Sequence, residues 1–222
     1  MAIEVETKDC TSLSDADLAE MADLCAESGN AFEVGLLSKQ ADAWVLLTEA
    51  RDGGKLRGFS FCTLERIGGT PSLLIGAAFV CRTTKRDTVL RAMMTDQFRR
   101  SVLAFPDEDV LIGTQLNDPG GFEAFKTLHD IIPRPGHKAS GEERAWGRRL
   151  AKRFGIAATR YEDREFTVRG AGSPAVVLDH RSAKPEKIPR DVVAQFDGLA
   201  VADGDTLIAF GWAMAEDLEK LL

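Results

Sequence analysis

The chain has 222 residues, of which 44% are hydrophobic and 28% charged, and its formal net charge is -7. These values are typical of a globular protein with a sizeable core, and they exclude a disordered or fibrous chain. No apolar run reaches the roughly 18 residues of a membrane span, and the N-terminus lacks the features of a signal peptide. The sequence therefore predicts a soluble, cytoplasmic protein of bacterial type.

Several motifs that mark particular chemistries are absent from the sequence. The cysteines lie singly without C-x-x-C spacing, which favours buried free thiols. The histidines are widely spaced, and no zinc, Rossmann, Walker or G-x-S-x-G pattern occurs. The sequence thus predicts neither a metal centre nor a hydrolase triad. The residues concerned are Cys10, Cys25, Cys62 and Cys81, and His129, His137 and His180.

The first predicted elements are a strand over residues 3–7 and a helix with clear end signals. Ser14 is a predicted N-cap, because Leu13 and Leu18 around it have the spacing of a hydrophobic staple. The helix is expected to stop at Gly29, since glycine takes the left-handed conformation readily.

Three strands with glycine-containing turns follow this helix. Alternating and apolar runs predict strands over 44–49, 56–67 and 73–80, and turns at 52–54 and 68–71 join them. Short turns connect antiparallel neighbours, so an antiparallel meander is expected.

The chain then returns to helical spacing. A helix is predicted over 89–103, a buried strand over 109–116 and a short helix over 121–128. Prolines and glycine after Ile132 disfavour regular structure. We therefore divide the chain into a first domain, 1–132, and a smaller C-terminal α/β extension, 133–222, that packs on it.

A basic helix over residues 142–154 is the most unusual local feature of the extension. Residues 134–153 contain seven Lys or Arg against two Glu, a net charge of +5. Three interpretations stay open: a solvated face packed through an apolar stripe, a contact for an anionic cofactor or substrate, and a nucleic-acid patch, which the acidic total charge disfavours. Further predictions are strands over 165–168, 175–178 and 206–210 and a closing helix from Ala215.

The order of elements over residues 3 to about 130 resembles the GNAT acyltransferase superfamily. The hairpin Asp52 to Phe59, the stretch from Val80 to Met94 and the segment Gln115 to Pro119 are similar to sequences at the corresponding places in that family. The resemblance implies a mixed sheet flanked by helices and a helix N-terminus that holds the phosphates of an acyl-CoA. The residues that would line this cofactor cleft are Val80, Arg82, Lys85, Arg86 and Asn117.

The predicted phosphate loop departs from the family pattern. Where the family has two small residues, this chain has Lys85 and Asp87. Basic Arg82, Lys85 and Arg86 could bind phosphate oxygens directly, whereas the Asp87 carboxylate would repel them. The alternative interpretation is a solvated basic loop.

The residues available for acid–base chemistry also differ from the family pattern. Many family members carry a tyrosine, the proton donor to the departing thiolate, where this chain has Phe125, which has no proton to give. The only tyrosine, Tyr161, lies outside the resembling region. Glu65 is a candidate general base through water, and an exposed charge is its alternative interpretation.

Two functional hypotheses result, and they leave open whether the protein is an enzyme. The first is an acyl-CoA-dependent N-acyltransferase that acts on a small-molecule or protein amine. The second is a catalytically silent GNAT-fold module, for binding or assembly, that does not use acetyl-CoA. Neither implies a membrane or nucleic-acid partner, and a homo-oligomer stays possible.

Overall fold

An antiparallel meander forms one half of the sheet. The computed structural model describes residues 3–30 and 32–222. The predicted strand, helix and three-stranded meander are confirmed, and positive φ angles at Gly53, Gly54, Gly68 and Gly69 close the two hairpins. The elements are β1 (Glu4–Asp9), α1 (Asp15–Glu27), α2 (Val34–Ala43), β2 (Leu46–Asp52), β3 (Lys55–Ile67) and β4 (Thr70–Val80).

Helix α1 begins and ends where its sequence signals predict. Ser14 and Asp17 form a reciprocal capping box, and Gly29 has a φ of 73° just beyond the end. Helix α2 has no predicted counterpart. Its first turn lacks a side-chain cap and its apolar pattern is short, so tertiary packing of Leu37 stabilises it more than local signals do.

The second half of the chain alternates helices and short strands. The predicted helix over 121–128 is a 3₁₀ helix, Pro119–Phe125, because one proline and two glycines disfavour an α-helix there. The elements are α3 (Arg86–Ala104), β5 (Val110–Leu116), β6 (His129–Ile132), α4 (Gly141–Arg153), β7 (Tyr161–Glu162), β8 (Thr167–Val168), β9 (Leu178–Asp179), α5 (Arg190–Ala194), β10 (Thr206–Ala213) and α6 (Ala215–Leu218).

All ten of these strands join one mixed sheet. Their order is β1-β2-β3-β4-β9-β5-β10-β8-β7, with β6 also paired to β10. Strand β10 pairs with β5 from Leu207 opposite Leu116 to Ala213 opposite Val110. The last long strand of the predicted extension thus lies inside the sheet, where its apolar residues are buried on both faces. The division of the chain at residue 132 stays a prediction.

Strands β4 and β5 are parallel and separate along their length. They pair where Ser72–Leu74 lies beside Leu111–Gly113, and beyond that point β9 lies between them. Helix α3 packs on one face of the sheet, and α1, α2 and α4 contribute to two other apolar clusters. The described part of the chain contains no helix with the length and hydrophobicity of a membrane span.

Candidate functional site

The residues predicted to line the cofactor cleft lie around the carboxyl ends of the parallel strands β4 and β5. Val80 ends β4, Arg82 and Lys85 lie in the loop before α3, Arg86 begins α3, and Asn117 follows β5. In open α/β sheets, ligands bind outside the carboxyl ends of strands where the connections diverge. The structure thus brings the predicted residues to a plausible ligand position.

A segment of the chain itself fills the space between these strand ends. We call residues 175–183 the strap; its central part is β9. The Val177 carbonyl accepts a hydrogen bond of 3.2 Å from the Ala78 N–H, and Leu178 lies between Ala78 of β4 and Leu116 of β5. Val177 and Leu178 are at most 2% exposed, so the strap is part of the core.

An ion pair fixes the middle of the strap to the predicted cofactor loop. Arg82 Nη2 donates to Asp179 Oδ1 at 2.6 Å, and Asn30 donates to the other carboxylate oxygen. The Arg82 guanidinium also lies over the Phe79 ring, 5.4 Å from its centroid. The cation expected to bind a phosphate is therefore neutralised within the chain.

The N-terminal turn of α3 contacts the end of the strap. Arg86 donates to the carbonyl oxygens of Arg181 (2.6 Å) and Ser182 (2.8 Å). The Asp87 carboxylate accepts from His180 Nε2 at 3.1 Å and from the Ala183 N–H at 2.9 Å. Asp87, which departs from the family pattern, thus has a structural role as the acceptor that holds the strap.

The remaining predicted cleft residues are engaged differently. Lys85 pairs with Asp52 at 2.7 Å, at the turn between β2 and β3. The Val80 side chain is 1% exposed and packs in the core, so it does not line an open cleft. Asn117 Oδ1 is buried and has no hydrogen-bond partner among the described residues.

Two glycines in the 3₁₀ helix allow close packing, Gly120 against the strap and Gly121 against β5. A Cβ atom on Gly120 would lie 2.5 Å from the Ser182 backbone nitrogen, and one on Gly121 would lie 2.6 Å from Leu116 Cδ2. The helix was predicted from sequence, but this contact was missed, because consecutive glycines do not reveal which distant backbone they approach.

Burial at the strap changes the protonation of nearby groups. Desolvation lowers the pKa of His180 below its ordinary value, although the Asp87 carboxylate partly opposes this. Burial also raises the pKa of Cys25 to about 12, and the Asp179 carboxylate acts in the same direction. The predicted burial of all four cysteines as free thiols is confirmed.

Phe125, Glu65 and Tyr161, the residues considered for acid–base chemistry, have other roles in the structure. Phe125 is fully buried in the core. Glu65 forms a bidentate ion pair with Arg153 of α4, at 2.6 and 3.0 Å. Tyr161 packs against Gly147, and burial raises the pKa of its phenol above the ordinary value. The geometry supports none of them as the proton donor or base at the strap.

A cavity of about 290 Å³ borders the other end of the strap. It lies beside a bulge in β4, where the register against β3 shifts between Ser60 and Cys62. The Trp44 ring lies over Gly76 of that bulge and donates to Gln40 at 2.9 Å. The lining includes Gln40, Trp44, Gly76, Gln115, Arg153 and Val176.

The basic helix α4 has the contacts of a solvated helix face. Trp146 and Leu150 are buried, as the apolar stripe predicts. Arg149 lies over the Trp146 ring at 4.6 Å, and Arg148 pairs with Asp163. These intramolecular contacts favour the first of the three interpretations of this helix.

The described residues define a mixed α/β protein whose first part has the element order implied by the GNAT resemblance. In place of an open cleft, its parallel strand pair encloses a segment of the same chain. The residues do not fit an acyl-CoA in this arrangement, because the strap engages Ala78, Arg82 and Arg86.

Comparisons with protein-family models and with curated proteins find no match. Among solved structures, the chain is similar to the ribosomal-protein-S18-alanine N-acetyltransferase from Escherichia coli (8% identity, TM-score 0.49, 95% of each chain covered). It is also similar to an IAA acetyltransferase from Bacillus cereus ATCC 14579 (8% identity, TM-score 0.47, 96% of this chain and 100% of the other covered). A further similar structure is an aminoglycoside N-acetyltransferase in complex with CoA, with 10% identity, a TM-score of 0.37, and 70% of this chain and 88% of the other covered. These TM-scores lie below 0.5, so we infer function from this chain's own residues.

Proposed function

We propose that this protein is a catalytically silent GNAT-fold binding module that does not use acetyl-CoA. The observation that carries the proposal is the strap between β4 and β5, held by Ala78, Arg82, Arg86 and Asp87. A ligand at the strand ends would need the same donors, so it competes directly with the chain.

The energetics favour the strap over a soluble ligand. In the closed state, the strap lies between β4 and β5. Burying Val177 and Leu178 stabilises this state by roughly 2 kcal/mol for each side chain. If closure is favoured by about 4 kcal/mol, the apparent affinity of any competing ligand falls about a thousandfold. A ligand of micromolar intrinsic affinity would then bind only at about millimolar concentration.

A second candidate is an acyl-CoA-dependent N-acyltransferase, acting on a small-molecule or protein amine, in which the strap moves away. One observation favours it: the donors that hold the strap, an N–H group and two arginines, also suit the amide carbonyls and phosphates of CoA. The acyl acceptor would then approach from the cavity beside Trp44.

Isothermal titration with acetyl-CoA and free CoA separates the two candidates. We expect no binding to the wild type up to about 1 mM. A strap variant, Val177→Ala with Leu178→Ala and Asp179→Ala, weakens closure but keeps Arg82 and Arg86. We expect this variant, once shown to be folded by circular dichroism, to bind no CoA either, because Lys85 stays paired with Asp52 and the Asp87 carboxylate at the start of α3 repels phosphates.

The control is the same strap variant with Arg82→Ala and Arg86→Ala. Micromolar binding by the wild type would overturn the proposal. Micromolar binding by the strap variant, lost in the control, would favour the transferase with a displaced strap.

A further inference from the structure

An apolar groove of about 350 Å³ lies on the surface that the end of the strap leads into. Its walls are the 3₁₀ helix Pro119–Phe125, residues 131–135, and residues 187–195, which include α5. Apolar side chains and prolines dominate the lining: Pro119, Phe122, Ile131, Pro133, Pro135, Ile188, Pro189 and Val192. The prolines restrict the backbone of the walls, so the groove is preformed. Little conformational entropy of the protein is therefore lost when a ligand binds.

The rim of the groove is basic in a protein that is acidic as a whole. Lys126, Arg134 and Lys187 line it, and Glu123 is the acidic residue among the lining residues. Lys126 pairs with Glu123 at 2.5 Å, whereas Arg134 makes a longer, exposed contact of 3.4 Å with Asp130. The groove therefore has an excess of positive charge that suits an acidic ligand.

The groove continues into a second cavity of about 400 Å³. Pro133, Arg134, Pro135 and Gln195 line both cavities. Gln195 Oε1 is buried and has no hydrogen-bond partner among the described residues. In the second cavity the charges of Arg134 and Arg164 are balanced by those of Glu165 and Asp191. Beyond Arg134, which lines both cavities, the first groove also has Lys187, so the positive charge is greater there.

We propose that this groove binds an extended acidic segment of a partner protein, with apolar side chains between the acidic ones. The apolar walls would take the apolar side chains, and the basic rim would pair with the carboxylates. Two adjoining cavities suit a ligand several residues long. The proposal is independent of whether the strap site binds acyl-CoA.

Fluorescence polarisation with a labelled synthetic heptapeptide, ELELELE, tests the proposal. We expect a dissociation constant of about 10 to 100 µM at low salt, which weakens as salt rises. The peptides KLKLKLK and ESESESE should bind at least about tenfold more weakly, because each removes one component of recognition.

Two matched pairs of variants locate the site. Val192→Glu and Lys187→Glu should each weaken ELELELE binding about tenfold or more. Val193→Glu and Arg190→Glu make the same kind of charge change at neighbouring residues that do not line either cavity, and they should weaken binding less than about threefold. Circular dichroism of all four variants checks that they are folded.

Absence of ELELELE binding at about 1 mM would overturn the proposal. Equal binding of KLKLKLK, or equal losses in the lining and neighbouring variants, would also overturn it. Sedimentation velocity adds a further outcome: a dimer that dissociates on Val192→Glu would assign the groove to a second copy of this chain instead.

Discussion

Asp179 is the residue at which the strap and the predicted cofactor loop meet. Its side chain is 9% exposed and that of Arg82 22%, so their ion pair is shielded from most of the solvent. A buried carboxylate is costly unless it is paired, and here Arg82 and Asn30 both donate to it. A residue expected to hold a phosphate thus holds an internal carboxylate, an anion with similar hydrogen-bonding geometry.

The burial of the His180 ring leads us to expect a specific dependence of stability on pH. Its ring is fully buried, Nε2 bonds to Asp87, and Nδ1 has no partner among the described residues. Asp87 and Glu123 raise the pKa of His180 and Arg82 lowers it, but desolvation dominates and the pKa is lowered from 6.5. As pH falls below about 6.5, the unfolded chain takes up a proton that the folded chain resists, so stability decreases.

We expect the free energy of unfolding to fall by up to about 1.4 kcal/mol per pH unit below pH 6.5, from this group alone. Urea titrations between about pH 7.5 and 5.5 measure it, above the range where most carboxylates titrate. His180→Asn should flatten this dependence, whereas His137→Asn, at an exposed histidine, should retain it. An unchanged slope in His180→Asn would contradict the assignment.

At the scale of elements, local signals were predictable and long-range placement was not. The Ser14 capping box and the glycine hairpins depend on residues a few positions apart, so the sequence carries them directly. A strand was also predicted over 175–178, close to β9. Its location between two parallel strands could not be predicted, because such pairing joins residues about a hundred positions apart without a local pattern.

In the candidate site, too, the position of the residues could be predicted from the sequence, but their long-range contacts could not. The resemblance predicted that Arg82, Lys85, Arg86 and Asn117 would lie near one another, and they surround the strand ends. The partners of Arg82, Lys85 and Arg86 could not be predicted, since those partners come from the turn at Asp52 and from the strap. Asp87 was interpreted as a charge that would repel phosphates, and its hydrogen bonds to His180 and Ala183 explain why an acid suits that position.

Because Leu178 of the strap is buried between β4 and β5, we expect its side chain to be a major source of stability. Leu178→Ala removes a side chain that is 1% exposed between β4 and β5 and should destabilise the protein by about 2 to 5 kcal/mol. Leu103→Ala makes the same change at a position that is 68% exposed on α3 and should cost less than about 0.5 kcal/mol. Urea unfolding followed by tryptophan fluorescence measures both. Similar losses in the two variants would indicate that the strap is not packed in solution.

At the scale of the whole molecule, the sheet depends on both ends of the chain. Strand β10 lies between β5 and β8 and also pairs with β6. The region between β6 and β10 contributes α4, which packs on the sheet, and the strap, which fills the gap beside β4. Strands of both predicted domains therefore share one core.

A fragment comprising residues 1–132 tests this interdependence. Without β10, the apolar edge of β5 would be exposed, and without the strap the gap beside β4 would open. An uncovered apolar strand edge favours association over a folded monomer. We expect the fragment to be aggregated or to lack cooperative thermal unfolding, and the full chain to unfold in one transition, as measured by circular dichroism and sedimentation velocity. Residues 133–222, co-expressed as a separate chain, should restore a soluble complex. A monomeric fragment 1–132 with its own cooperative transition would instead support an independent first domain that ends at residue 132.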